Sequence, residues 1–315
     1  MAANIDLGVL EDPDIPQCQV DVLRILDAAL NSSGDPATAA AKLADDLRQF
    51  FISSESQNTA STLLWNLWMV LLEAVMMVPV GHPWHAALVA AVKGLRSPGG
   101  PVVELEGCTL QWADLPHLSE YLFDKWADPT DPDDDDYDPE DLEAWKSFNS
   151  FASQLLSDDL PRWIVLPYWV IRAALETPLP QDPDVFECRL WVATEWLTRC
   201  GQLVRREMGS TEPLSEQSRA SIAPGPLCEG VPPLGPERWE FWRSRLIELA
   251  SAQPPAGEDG AGEDGVGEDG TGQQPVPSGE SLDRIAQAIA VMDAASNDTQ
   301  GLGRCRDDGI MGSIM

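Results

Sequence analysis

A chain of 315 residues can bury a substantial core as one large domain or two smaller ones, and an apolar content of 43% is that of a globular protein. The charge is less ordinary: 52 acidic residues against 20 basic ones leave a net −32. A field of that sign repels phosphate backbones and anionic lipid surfaces, so direct binding to nucleic acid or to a membrane is excluded as a leading function.

The N-terminal stretch MAANIDLGVLEDPDIP is acidic and lacks the positive start and apolar run of a secretory leader. Six cysteines (Cys18, Cys108, Cys188, Cys200, Cys228, Cys305) are scattered without metal-like spacing. Reduced thiols in the cytoplasm are therefore expected, with the nucleus left open. The proline signals then set out a series of helices. Asp35-Pro36, Asp138-Pro139 and Asp182-Pro183 each place a side-chain acceptor at the N-cap and proline at the first helical position, and His82-Pro83 and Gly235-Pro236 resemble them. About ten helices are predicted, over 17–31, 36–54, 57–78, 83–96, 114–127, 139–157, 161–177, 183–208, 236–252 and 280–296. Pro167 inside the seventh should kink or split it. Only Val102 to Leu110 suggests extended chain, too short and isolated to build a sheet. The fold class is all-α, an irregular multi-helix bundle.

The apolar stripes support that reading. Leu142, Trp145, Phe148, Phe151 and Leu155 recur at helical spacing, as do Val185, Leu190, Trp191, Ala193, Trp196, Leu197 and Leu203. The segment from Leu63 to Val80 is the one that tempts a membrane-span assignment. Asn66, Glu73 and a missing basic flank make it a buried central helix instead, with Glu73 on a polar stripe or paired to an arginine. Organisation follows: a helical domain over 1–253, a disordered linker over 254–278, a C-terminal helix over 279–296 that packs back on the domain, and a disordered tail over 297–315. The linker carries three tandem Gly-Glu-Asp-Gly copies with nothing apolar to bury. In the last helix, Leu282, Ile285, Ile289 and Met292 form the expected apolar face.

Candidate chemistry is sparse. The twelve tryptophans include the pairs Trp65-x-x-Trp68 and Trp239-x-x-Trp242, each on one helical face. They fill interhelical space, or they wall a small-molecule pocket or peptide groove. Arg238 and Arg243 flank the second pair, where pairing with a carboxylate or cation–π contact is expected. His82 and His85 form at most two edges of a metal site, and no nearby Cys, Asp or Glu completes it. The acidic stretch Asp128 to Asp138 contains Asp133, Asp134, Asp135 and Asp136. Counted from Asp131 as a calcium loop, it has Asp136 where glycine is needed and Leu142 where a bidentate glutamate is needed. It reads as a solvated run or a surface for a basic partner. No nucleophile elbow, phosphate loop or dinucleotide fingerprint is present, and no Ser or Cys has a histidine partner in local sequence.

The ordered motifs resemble the fungal family of uncharacterised proteins called domain of unknown function 3632. The series runs Leu64-Trp65-x-x-Trp68, His82-Pro83, Trp112-x-x-Leu115-Pro116, Trp145-x-x-Phe148-Asn149-x-Phe151-Ala152, Ala173-Ala174-Leu175-Glu176, Ala193-x-x-Trp196, Glu237-Arg238-Trp239-x-Phe241-Trp242 and Ala286-x-Ala288 to Met292. The similarity extends from about residue 20 to 296. It implies a helical intracellular protein with the tryptophans as structural hallmarks, and no catalytic residue carries over. The expected function is a non-enzymatic interaction or scaffold module without cofactor, metal or catalytic residues. The alternatives are a small-molecule binder or enzyme with a tryptophan-lined cavity, and an acidic mimic that binds a basic protein.

Overall fold

The structure is a computed structural model that describes residues 5–11, 14–31, 35–53, 57–96, 102–105, 108–131, 137–156, 164–211, 213–252 and 275–298. Its described residues are all-α: eleven α-helices and one two-stranded hairpin. Contacts divide the chain into two compact units, residues 1–155 and 156–315.

The first unit holds α1 (Gln17–Leu30), α2 (Pro36–Ile52), α3 (Gln57–Met77), α4 (Pro83–Leu95), the antiparallel hairpin β1 (Val102–Leu105) and β2 (Cys108–Gln111), α5 (Leu118–Asp124) and most of α6 (Pro139–Leu156). Starts follow the cap chemistry. The Asp35 carboxylate accepts from the Ala37 and Thr38 amides, and the His82 ring accepts from the Trp84 amide at 3.2 Å. Helix α3 packs on α1, α5 and β1. Its buried Asn66 accepts from Gln19 of α1 at 2.6 Å, and Glu73 pairs with Lys125, a lysine where the sequence suggested an arginine. Among the described residues no helix is long and apolar enough to cross a membrane. The helix predicted over 114–127 is shorter. Leu115 and His117 take the left-handed conformation (φ 50° and 67°) around Pro116, so α5 begins only at Leu118.

The second unit holds α7 (Val165–Leu175), α8 (Pro183–Met208), α9 (Glu216–Ser221), α10 (Pro236–Ser251) and α11 (Gly279–Asp298). Its centre is α8, which α7, α10 and α11 all contact. Asp182 caps it through the Asp184 and Val185 amides, as Asp-Pro predicts. Pro167 neither kinks nor splits α7. It sits in the first turn, where its missing amide has no helical partner to lose. Helix α9 has no apolar periodicity and escaped the sequence reading. On α11 the buried face is Ile285, Ala288, Met292 and Ala295, whereas Leu282 is 38% exposed. Residues 297 and 298, expected in a tail, complete this helix. Residues 254–274 of the expected linker and 299–315 of the expected tail lie outside the described residues.

Candidate functional site

Among the described residues, a concentration of fully buried charge surrounds the α10 motif. Gly235 and Pro236 start the helix, and the next turn sends Arg238, Trp239 and Trp242 inward, all 0% exposed. The counter-charge is Glu176, also 0% exposed, which forms the C-cap of α7. A carboxylate at a helix C-terminus faces the negative end of the dipole, so a cation must hold it there. Arg238 does so as a fork: Nε donates to Glu176 Oε1 at 2.6 Å and Nη2 to Oε2 at 3.1 Å. Its Nη1 donates to the carbonyls of Ile222 (2.6 Å) and Pro233 (2.8 Å). The carboxylate accepts two further bonds, from Trp242 Nε1 at 2.5 Å and the Gly225 amide at 2.6 Å. The guanidinium lies over the rings of Tyr168 (5.5 Å) and Trp242 (5.3 Å).

The cluster fastens the segment from Ser221 to Pro233 onto α7 and α10. Trp169 Nε1 donates to the Ser221 carbonyl, Arg172 Nη1 to that of Ala223, and the Leu227 amide to that of Glu176. Gly225 is required by close approach: a Cβ there would stand 2.6 Å from the Glu176 carbonyl oxygen. With both charged groups bonded from several sides, this is a clamp, closed to a substrate. Burial, then the nearby Glu176, pushes the thiol of Cys228 in this segment up to about 11 against a weaker pull from Arg238, so it stays protonated. Burial also raises the Tyr168 hydroxyl, which is enclosed without a hydrogen-bond partner among the described residues.

The first tryptophan pair lies in the other unit, on α3. Trp68 is 0% exposed and donates to the Pro116 carbonyl at 2.6 Å, pinning the left-handed turn. Trp65 is half-buried and meets His117 and Tyr121 edge-on, at 5.8 and 5.2 Å between ring centres. Here the fold supplies a pair that local sequence lacks. Ser61, one turn before Trp65, lies 2.7 Å from His117 Nε2. Burial holds the His117 ring below its ordinary pKa, with Glu120 opposing, so a neutral imidazole faces a hydroxyl at nucleophile–base distance. Tyr121 is pushed up to about 12, by burial first and then by Glu73 and Asp124.

Of the remaining candidates, His82 is the α4 cap, and the buried His85 bonds the Ser147 carbonyl at 3.1 Å. Among the described residues no group of three or more His, Cys, Asp or Glu is placed to hold a metal. Asp133, Asp134, Asp135 and Asp136 lie outside the described residues. Sequence reasoning found Arg238, Trp239 and Trp242 but not Glu176 or Gly225 as their partners, and it found Trp65 but not Ser61 beside His117. The signal for Glu176 was available: a carboxylate ending a helix just before Thr177-Pro178.

No curated protein and no solved structure matches the chain. One family model does, over residues 68–246, a narrower span than the motif series from residue 20 to 296. That stretch runs from Trp68 to Leu246 and includes the whole Glu176–Arg238 clamp. Since more than half of the chain is matched, it belongs to the DUF3632 family, proteins of unknown function.

Proposed function

We propose that the protein is a cytoplasmic, non-enzymatic interaction or scaffold module that engages a basic protein partner through its acidic surface. The observation that carries this reading is the distribution of charge. Of 20 cationic residues, at least ten are already paired with carboxylates within the chain. Carboxylates outnumber cations by 52 to 20, and the field of that excess accelerates encounter with a basic surface. The experiment is affinity purification from native cytosol at low and high salt, beside a full-length variant with Asp133 to Asp136 changed to Asn. A stoichiometric basic partner that is lost at high salt and weakened by the variant is the expected result. A chain that emerges alone at low salt overturns the reading.

One observation favours a second reading, a small-molecule binder or enzyme built around Trp65 and Trp68: the Ser61–His117 contact beside the Trp65 ring. A fluorophosphonate probe tests it. The Ser61 oxygen would bond phosphorus as fluoride leaves, and the hydroxyl proton would pass to His117. Labelling of the native chain that disappears in Ser61→Ala and His117→Asn supports an activated serine, and an unlabelled native chain removes this reading.

A further inference from the structure

Helix α11 is held in the way a bound helical ligand is held. One face buries Ile285, Ala288, Met292 and Ala295 against the second unit, where α11 contacts α8 and α10. Small residues bring the backbones close: a Cβ on Gly201 of α8 would come within 3.0 Å of Val291. Polar contacts then fix register at three levels. At the N-terminus, Glu187 accepts from the Ser278 amide (2.7 Å), the Ser278 hydroxyl (2.9 Å) and the Ser281 hydroxyl (2.6 Å). One turn on, Arg284 lies 4.1 Å above the Trp191 ring and donates to Glu195 at 2.8 Å and Thr194 at 3.2 Å. Towards the C-terminus, Asp293 accepts from Arg243 at 2.6 and 3.3 Å, and Ser296 accepts from Trp239 Nε1 at 3.1 Å.

Every receiving side chain, from Glu187 to Arg243, lies inside the family-matched span 68–246, and α11 lies wholly outside it. The covalent link does not dictate the seat either. Residues 252–278 separate α10 from α11, a length that reaches at most about 90–100 Å when extended. We propose that the α8–α10 face is a helix-binding groove, with α11 as its internal ligand and a partner protein's amphipathic helix as its occupant in trans. The groove defines that partner: Arg followed at once by a large apolar residue, alanine three on, methionine seven on, carboxylate eight on and alanine ten on, as in Arg284-Ile285-x-x-Ala288-x-x-x-Met292-Asp293-x-Ala295. Two carboxylates, Glu187 and Glu195, greet its N-terminal half, and one guanidinium, Arg243, greets its C-terminal half, which sets direction. Tethered α11 competes at an effective concentration of about millimolar, so a partner binds only when α11 is displaced or outcompeted.

This inference rests on the interaction-module reading and is tested separately from it. A protease site is placed between residues 265 and 266 of the full chain. A fluorescent peptide of residues 275–298 is then titrated before and after cleavage, with near-UV circular dichroism and gel filtration alongside. The expected result is peptide binding that is at least tenfold tighter after cleavage and dilution, to a body that keeps its near-UV signal. An Asp293→Arg peptide should bind at least fivefold more weakly, and a cleaved chain carrying Arg243→Asp should recover it. Equal binding before and after cleavage overturns the proposal. So does α11 that never exchanges, a body that loses its near-UV signal as α11 leaves, or a peptide-sensitive dimer, which assigns the groove to a second copy. Exchange without any partner from cytosol leaves the groove standing and removes the interaction reading; capture of a partner without exchange does the reverse.

Discussion

Replacing Glu176 by glutamine tests the central clamp with minimal change of shape. Arg238 is 0% exposed, and among the described residues its carboxylate contact comes from Glu176. Glutamine keeps one acceptor oxygen and removes the charge, so a buried guanidinium loses its counterion, which costs about 3–5 kcal/mol. If that oxygen stays with Arg238 and Trp242, the amide nitrogen meets the Gly225 N–H, donor against donor, and an orphaned buried donor alone costs about 1–3 kcal/mol. The two effects overlap, so the expected loss stays near about 3–5 kcal/mol, a large part of the about 5–15 kcal/mol that holds a typical domain. The double variant Glu176→Leu, Arg238→Met removes both charges. It still strands the Gly225 amide, Trp242 Nε1 and the carbonyls of Ile222 and Pro233. Its loss should therefore resemble that of one single variant and fall short of the sum of Glu176→Leu and Arg238→Met by about 2 kcal/mol or more. Urea unfolding, followed by circular dichroism and fluorescence with midpoint and slope fitted separately, measures Glu176→Gln and the four corners of the Leu/Met cycle. A Glu176→Gln loss below about 1 kcal/mol at unchanged slope would show that the charge is not buried as a pair, and the reasoning would fall.

Gly225→Ala should lower stability by about 1–3 kcal/mol, because the new Cβ meets the Glu176 carbonyl oxygen at 2.6 Å and backbone must move; an unchanged melting temperature would contradict that contact. Asp182→Ala removes the acceptor for the Asp184 and Val185 amides and should cost about 1 kcal/mol in the same melts, with α8 retained by its packing. The His117 ring titrates below its ordinary 6.5 because burial disfavours the cation. The unfolded chain thus binds more protons than the folded one between the depressed value and 6.5, and stability from this group rises with pH through that window and is lost as pH falls. His117→Asn, which tolerates the left-handed backbone, should flatten the change in urea midpoint between about pH 5 and 7; an equal slope in both proteins would place the titration elsewhere.

Helix positions were legible wherever the determinant is local. Asp182-Pro183 supplies both the N-cap acceptor and the fixed φ of the first turn, and the α8 start follows from those two residues alone. The stripe Leu142, Trp145, Phe148, Phe151 and Leu155 is buried as its period requires. Misreadings arose where a neighbour or the backbone overrode the pattern. Pro167 reads as a helix breaker only if the helix is assumed to begin earlier, and α5 loses its first turn to left-handed residues on both sides of Pro116. On α11, Leu282 has the right spacing for the apolar face. Yet Glu187 binds Ser278 and Ser281 at that end, and the buried row turns toward Ala288 and Ala295, whose small side chains allow close approach to α8.

Partnerships across the fold were less legible for a physical reason. A helix face is fixed by residues three and four apart, while the Glu176–Arg238 pair joins positions 62 apart and Ser61–His117 positions 56 apart. What sequence can show is an unmet requirement. An arginine set just before two inward-facing tryptophans must find a carboxylate, because a lone buried guanidinium is too costly to keep, and a glutamate closing a helix must find a cation, because the dipole works against it. Arg238 and Glu176 each carry one half of that requirement in plain view, in the stretches ERWEFW and AALETP. The same logic applies to α11: an arginine beside an apolar stripe, Arg284-Ile285, demands an acidic and aromatic seat, and Glu195 with Trp191 provides it on α8. The requirement is therefore written on the helix itself. Whether another chain's helix can take that seat in place of α11 is what the peptide exchange after cleavage reads.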